Sequence, residues 1–156
     1  MSLMAVAPTT DADLVIPNAP FFPDIRVGEI RDAIRIDGTV TPQRFRSELL
    51  AAVFSVNAEL QAWVRAQRQL GYAALDAIPA DAIDGRHRLV HLYQRAIAHT
   101  LKAQLLERYQ DIDTARLPGT TQKERDLEPQ IGDARRDARW ALRDLLGKPR
   151  TTVELL

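Results

Sequence analysis

The sequence predicts an all-α protein: a small antiparallel helical bundle of three longer helices and a short N-terminal one, with extended arms at both ends. Long stretches carry apolar residues at helical spacing, and caps and stops bound those stretches. Prolines occupy the first end of the chain, and a short β-prone run occupies the last. We therefore expect an arm over 1–24, a bundle domain over 25–147 and a tail over 148–156.

Composition limits the class of protein. The chain has 156 residues, typical of one domain, and its 21 basic and 21 acidic side chains cancel. It contains no cysteine, which excludes a disulfide framework, and no apolar run long enough for a membrane span. The first sixteen residues lack lysine and arginine, so no secretory signal is expected. We expect a soluble protein made in the cytoplasm, with no membrane and no small-molecule substrate.

The N-terminal arm is too rich in proline to form a helix, with four prolines in its first 23 residues. Phe21 and Phe22 are nevertheless too apolar to remain in water. They dock either on their own domain or on a neighbouring subunit. Asp24 then caps a short helix over about 25–36.

The first long helix is expected over about 41–70. Thr41 is a good N-cap, Pro42 suits the first helical position, and Gly71 can adopt the left-handed conformation that ends a helix. Its apolar stripe faces the core. The stripe comprises Phe45, Leu49, Ala52, Val53, Val56, Leu60, Trp63 and Leu70.

The second long helix, over 86–109, is apolar around more than half of its circumference. A helix of this kind is buried on more than one side, so it should form the middle of the bundle. The polar segment 110–125 that follows contains Pro118 and Gly119, and we expect it to be the most mobile loop.

The last helix is expected over about 127–146, with Asp126 as its cap and Pro129 in its first turn. Gly147 and Pro149 should close it. Aspartates line one flank of the apolar stripe and arginines line the other. Like the first arm, the chain after Pro149 should make few contacts with its own bundle.

A search for reactive constellations yields no catalytic, cofactor-binding or metal-binding residue. His87 and His91 are spaced to share a helix face and a zinc ion, but no third ligand is evident and a solvated face explains them better. His99 lies well around the helix from both. The run from Asp81 to Gly85 lacks the ligand spacing of a calcium loop and is typical of a turn.

Seven short segments, in order and at similar intervals, resemble the phage head completion protein family called GpL. They are FFPDI at Phe21–Ile25, NAEL at Asn57–Leu60, IPADAIDG at Ile78–Gly85, YQRA at Tyr93–Ala96, LLERY at Leu105–Tyr109, RWAL at Arg139–Leu142 and KPR at Lys148–Arg150.

The resemblance implies a structural virion protein, not an enzyme. Such a protein would seal the DNA-filled head and, as a closed homo-oligomeric ring of about 12 copies, connect the portal protein to a tail-side connector or tail terminator. Packaged DNA would pass through the ring. The protein would be made in the host bacterial cytoplasm and reside in the virion, at the neck between head and tail.

Eight residues are candidates for the subunit or portal interface: Phe21, Phe22, Arg135, Arg139, Trp140, Arg143, Lys148 and Arg150. An alternative function is a DNA-binding packaging factor, similar to a small terminase subunit. It would use the basic residues of this group against phosphate, although the interleaved aspartates would weaken their field.

Trp140 projects away from the apolar stripe of the last helix, among charged residues. Because so large an apolar surface is costly to leave in water, it should be covered. The loop over 110–125, the side chains of Phe21 and Phe22, or a neighbouring subunit or portal would provide the cover. We expect the neighbour, because tryptophan beside arginine is favoured at interface hot spots.

Overall fold

The structure, a computed structural model, describes residues 14–35, 40–116 and 121–150, and side chains at 14–35, 40–109 and 127–150. Within these ranges the helices are α1 (Val27–Ala33), α2 (Pro42–Gln69), α3 (Arg88–Arg116) and α4 (Thr121–Leu145). Two short antiparallel strand pairs accompany them: β1 (Val15–Ile16) with β2 (Ile25–Arg26), and β3 (Ala82–Ile83) with β4 (Arg86–His87). The fold is mainly helical, as predicted, but the strictly all-α description is corrected by these pairs.

Helix α2 has the ends that its sequence predicts. The Thr41 hydroxyl oxygen accepts a hydrogen bond from the backbone N–H of Arg44 at 3.3 Å, and Pro42 is the first helical residue. Gly71 has a φ of 95°, the left-handed conformation expected after the helix. The predicted apolar stripe faces the core except at Leu70, which is exposed, and Trp63, which is partly buried.

Helix α3 is the middle of the bundle, as predicted, because it packs against both α2 and α4. Side-chain contacts show that both neighbours run antiparallel to it. Arg135 of α4 meets Glu107, and the later Asp137 meets the earlier His99. Glu48 of α2 meets Arg108 near the end of α3, whereas the later Asn57 meets the earlier Tyr93. On the other side, only four residues, 117–120, join α3 and α4. These four, which include Pro118 and Gly119, lie outside the described residues.

The boundary between α3 and α4 differs from the prediction. Residues 110–116 continue α3 and residues 121–125 already belong to α4, so the expected loop over 110–125 is wrong for both parts. Asp126 lies within α4 and not at its cap, and Pro129 lies beyond the first turn. Residues 122–125 are glutamine, lysine, glutamate and arginine, which are strong helix formers, and this propensity starts α4 earlier than its apolar stripe indicates.

The N-terminal segment from residue 14 to 24 is extended, but the prediction that it makes few contacts with the bundle is wrong. Phe21 is 1% exposed and Phe22 is also buried. The Phe22 ring stacks on Tyr93 at a centroid distance of 4.6 Å, and the Phe21 ring meets the edge of Trp63 at 6.2 Å. The two phenylalanines therefore dock on their own domain, because α2 and α3 present aromatic partners for them.

A closed ring of three side-chain hydrogen bonds fixes this segment to both long helices. The Asn18 amide donates to the Tyr93 hydroxyl at 2.8 Å, and that hydroxyl donates to Asn57 Oδ1 at 2.6 Å. The Asn57 amide completes the ring by donating to Asn18 Oδ1 at 3.1 Å. Burial raises the pKa of Tyr93 to about 12, against the smaller opposing effect of its hydrogen bonds to Asn18 and Asn57.

Replacing Tyr93 by phenylalanine should lower the free energy of unfolding by about 1–3 kcal/mol, because the two half-buried amides of Asn18 and Asn57 lose their partner. The pH dependence should change too. Because the pKa of Tyr93 in the folded protein lies above the ordinary tyrosine value of 10.0, the stabilisation is complete below pH 10 and is lost as the pH rises toward 12. Urea melts from pH 7 to 11.5 should show a steeper alkaline loss in the unsubstituted protein. Tyr72→Phe is the matched control, and equal stability of Tyr93→Phe would contradict the role of the ring.

Candidate subunit-interaction surface

The predicted interface residues fall into two groups. Phe21 and Phe22 are core residues and present little surface. The other six lie on α4 or directly after it: Arg135, Arg139, Trp140, Arg143, Lys148 and Arg150. The structure therefore concentrates the candidate surface on α4 and the three residues that follow Gly147.

Trp140 is half-buried between two guanidinium groups. The central carbon of Arg136 lies 4.9 Å from the centroid of the Trp140 ring, and that of Arg150 lies 5.0 Å away. Both distances are typical of cation–π contacts. This partial cover comes from α4 and the segment after it, which the sequence analysis did not consider. The alternative that Phe21 and Phe22 cover Trp140 is wrong, and cover by a neighbour stays a prediction.

The segment after α4 is held against the helix that it leaves. Gly147 has a φ of 66°, and the Lys148 N–H donates to the Arg143 carbonyl at 2.8 Å, so α4 closes as predicted. The Arg143 side chain donates from Nε to the carbonyl of Pro149 at 2.6 Å. The expectation of few contacts is thus wrong up to residue 150, and residues 151–156 lie outside the described part of the chain.

Arg150 holds the end of α4 through Asp144. Its Nε donates to Asp144 Oδ1 at 3.0 Å and its Nη2 donates to Oδ2 at 2.5 Å, a two-pronged contact. This hydrogen bonding lowers the pKa of the Asp144 carboxyl and raises the pKa of Arg150. Asp144 thereby fixes the guanidinium that lies over Trp140.

The two charged flanks of α4 largely neutralise each other. Arg136 pairs with Asp133 at 2.7 Å, and Arg135 reaches Glu107 of α3 at 2.5 Å. Arg139 is exposed and has no ion pair within the described side chains. It lines a groove of about 290 Å³ between α2 and α4. This surface therefore offers three groups to a partner: Arg139, Lys148 and the solvent-exposed part of Trp140.

Phe54 on α2 is an exposed aromatic residue that was not among the predicted interface residues. Phe54 is 74% exposed, and the exposed residues Ala51 and Ala58 lie one turn away on either side. Partly buried Leu50 adjoins them. The signal was present, because Phe54 falls outside the helical stripe that begins with Phe45.

A basic stripe on α3 was also not predicted. Arg88, His91, Arg95, His99 and Lys102 recur at intervals of three or four residues, the spacing of one helix face. Burial lowers the pKa of His99, opposed by Asp137, whose Oδ2 lies 3.8 Å from Nδ1. The spacing of His91 within this longer pattern was interpreted only together with His87, as a possible zinc pair.

The histidine pair has a different geometry from the one considered. His87 belongs to β4 and not to a helix, and its Nε2 lies 2.9 Å from the carbonyl oxygen of Ile78. Within the described residues, no three His, Cys, Asp or Glu side chains are placed to hold a metal ion. Asp84 and Gly85 both have positive φ, so the turn predicted for this run is confirmed.

Among the helices of the described ranges, none is both long enough and apolar enough to span a membrane.

Comparison with known proteins identifies close similarity. The model of the family described as phage head completion protein (GPL) matches residues 16–156. A head completion/stabilization protein of Escherichia phage P2 is 37% identical over 139 residues, which cover 89% of this chain and 81% of that protein. A probable head completion/stabilization protein of Haemophilus phage HP1 (strain HP1c1) is 26% identical over 144 residues, covering 92% of this chain and 93% of the relative. No solved structure matches the chain significantly.

Removing the Arg150 side chain should make Trp140 more accessible to solvent, because one of its two guanidinium covers is lost. We expect stronger acrylamide quenching of Trp140 fluorescence, measured in a Trp63→Phe background so that one tryptophan remains. Arg139→Ala is the control, since this change removes the same charge and Arg139 is neither of the two arginines that lie over the ring. Equal quenching in the Arg150→Ala variant and the background protein would show that Arg150 does not shield Trp140.

Proposed function

The chain belongs to the phage head completion protein (GPL) family, and from this premise we propose that it completes the DNA-filled head as an adaptor ring between portal and tail. Membership gives it a structural role in the phage head, and both relatives are named for that role. The finer proposal names the partners: further copies of itself, about 12 in a closed ring, a portal protein, and a tail-side connector or tail terminator.

Trp140 is the observation that carries the proposal. It is a large aromatic residue at the surface of α4, half-buried, with arginines on both sides. Tryptophan and arginine dominate the energetics of protein interfaces. The two guanidinium groups also restrict the ring before any partner arrives, which reduces the conformational entropy lost on binding.

A ring needs two different surfaces on each copy, because neighbours in it meet head to tail. The chain offers a second surface on α2, centred on Phe54 and its neighbours Ala51 and Ala58. Helices α2 and α4 both pack against α3, so the Phe54 surface and the Trp140 surface belong to different helices and are separate patches. This arrangement supports a closed ring of identical subunits more than a two-fold dimer.

The alternative of a DNA-binding packaging factor that uses α4 has less support. Arg135 is paired with Glu107, and Arg150 is paired with Asp144. Arg143 is bonded to the Pro149 carbonyl. An arginine already paired with a carboxylate releases fewer counterions on meeting phosphate, so Arg135 and Arg150 contribute little to an electrostatic footprint, and the Arg143 guanidinium is held by its hydrogen bond.

Trp140→Ala and Arg139→Glu should weaken ring formation and incorporation into portal complexes more than folding, because both residues lie at the surface of α4. Native mass spectrometry of the protein alone and mixed with portal rings measures incorporation, and a thermal melt of the same sample measures stability. An early melt with normal incorporation would assign Trp140 to the fold instead. Phe22→Ala is the contrasting variant, since a buried residue should lower the melting temperature first.

A mixing experiment tests whether the Phe54 and Trp140 surfaces meet. Phe54→Ser and Trp140→Ala should each fail to form rings alone. When they are mixed, one copy supplies an intact Phe54 surface and the other an intact Trp140 surface, so the mixture should give dimers that do not close. Dimers in neither the mixture nor the separate samples, with rings formed by the unsubstituted protein, would exclude this pairing of surfaces.

A further inference from the structure

The chain from residue 85 to 106 contains no acidic residue, although acids are as frequent as bases in the whole sequence. Its cations are Arg86 on β4, and Arg88, Arg95 and Lys102 on α3. The helix positions differ by seven residues, two turns, so the three cations form a line with steps of about 10.5 Å and a length of about 21 Å. Arg86, Arg88 and Arg95 are exposed, and Lys102 is partly exposed.

These four cations lack the carboxylate partners that Arg135, Arg136 and Arg150 have. No carboxylate of the described residues forms an ion pair with them. Three of the acids nearby are engaged by other arginines: Asp144 by Arg150, Asp137 by Arg136, and Glu29 by Arg26 at 3.9 Å. Asp81 lines a cavity with Arg86 and Arg88 but forms no ion pair with them within the described residues. Arg88 and Arg95 still contribute to lowering the pKa of Asp144, so they lie within its field without contacting it.

The stripe borders two cavities that share Arg86 and His91. One, of about 380 Å³, lies between α1 and α3 and is also lined by Gln94, Arg95 and His99, with Glu29 as its acid. The other, of about 440 Å³, lies beside the β3–β4 turn and includes Arg88 and Asp81. Arg86, Arg88 and Arg95 therefore each line at least one of two cavities that share residues, and Lys102 lies one further step along α3.

We propose that this stripe of Arg86, Arg88, Arg95 and Lys102 binds the phosphate backbone of a nucleic acid. A regular line of uncompensated cations suits a polyanion with regularly spaced charges, because each contact releases counterions. Gln94 and the two histidines add hydrogen-bonding groups for phosphate oxygens.

An acidic protein surface fits the stripe less well. Stable protein interfaces have an apolar centre depleted in charge. The large exposed apolar residues of the described chain are Val15, Phe54, Leu70 and Ile83, and none of them lies on α3. Of these, only Ile83 lines either cavity, the one beside the β3–β4 turn.

The identity of the nucleic acid rests on the proposed function, since a protein that completes a DNA-filled head meets duplex DNA. Placement of the contact on α3 is independent of that function. It also moves the candidate phosphate surface away from the α4 arginines that the sequence analysis named.

The test is fluorescence anisotropy of a labelled 30-base-pair duplex, titrated with the full chain at 20–200 mM NaCl. For four phosphate contacts, the logarithm of the association constant should fall with the logarithm of salt concentration with a slope of about −3.6. The variant Arg88→Gln/Arg95→Gln/Lys102→Gln should reduce the slope to about −0.9 and lower the affinity at 50 mM salt by more than about 100-fold. Glutamine keeps the helix propensity of α3.

The matched control removes the same charge from α4: Arg135→Gln/Arg139→Gln/Arg143→Gln. It should keep the slope of the unsubstituted protein. If the salt dependence of the association constant becomes shallower in the α4 variant, or if both variants weaken binding equally, the contact is not on α3 and the inference is wrong. No binding by the unsubstituted protein at 20 mM salt would also overturn it. Should the triple α3 variant fail to fold, the single change Arg95→Gln should still reduce the magnitude of the slope by about 0.9.

Ring formation measured on the same samples separates this inference from the proposed function. An α3 variant that joins portal rings normally but has lost DNA binding supports the phosphate surface. An α3 variant that binds DNA normally but fails to join rings would show that the stripe receives an acidic protein. If the unsubstituted protein binds DNA with the expected slope but never forms rings, the ring proposal fails while the phosphate surface stands.

Discussion

The closed hydrogen-bond ring of Asn18, Asn57 and Tyr93 is the constraint on which the rest of the arrangement depends. It joins the N-terminal segment, α2 and α3 at one place, and each of its polar groups finds a partner inside the ring. A satisfied polar network specifies one packing, since any shift would leave buried groups unpaired. Once Asn57 and Tyr93 fix α2 against α3, Glu48 and Arg108 secure the other end of the same pair of helices.

The distribution of ion pairs divides a chain with no net charge into surfaces of different character. On α4, acids and bases lie one turn apart and satisfy one another, as Arg136 and Asp133 do. On α3, the stripe has only cations and histidines, and the neighbouring acids Asp137 and Asp144 are engaged by other arginines. The net charge of zero therefore results from different surfaces: the one on α3 suits an anion, and the one on α4 suits a protein partner. The net charge bears on solubility and not on what each face binds.

Local signals in the sequence were sufficient for some elements and not for others. Helix α2 was predictable because Thr41, Pro42 and Gly71 mark its ends, and the central place of α3 followed from its wide apolar arc. The packing of Phe21 was not predictable from proline spacing, because its partner Trp63 is distant in the sequence. The start of α4 was misplaced because helix propensity there acts without an apolar stripe. For the candidate surface, Trp140 was recognised, but its cover by Arg150 depends on the turn at Gly147.

The distance along the chain between Asn18 and Tyr93 has a consequence for synthesis. The two residues are separated by 75 positions, so the ribosome makes the neighbouring Phe22 long before Tyr93, on which its ring will stack. At about 5–20 residues per second, the interval is roughly 4–15 s. Throughout that time Phe22 lacks its stacking partner on α3, and an exposed aromatic ring in a nascent chain is a target for chaperones and for misassociation. Helices α3 and α4, joined by four residues, emerge together and face no such delay.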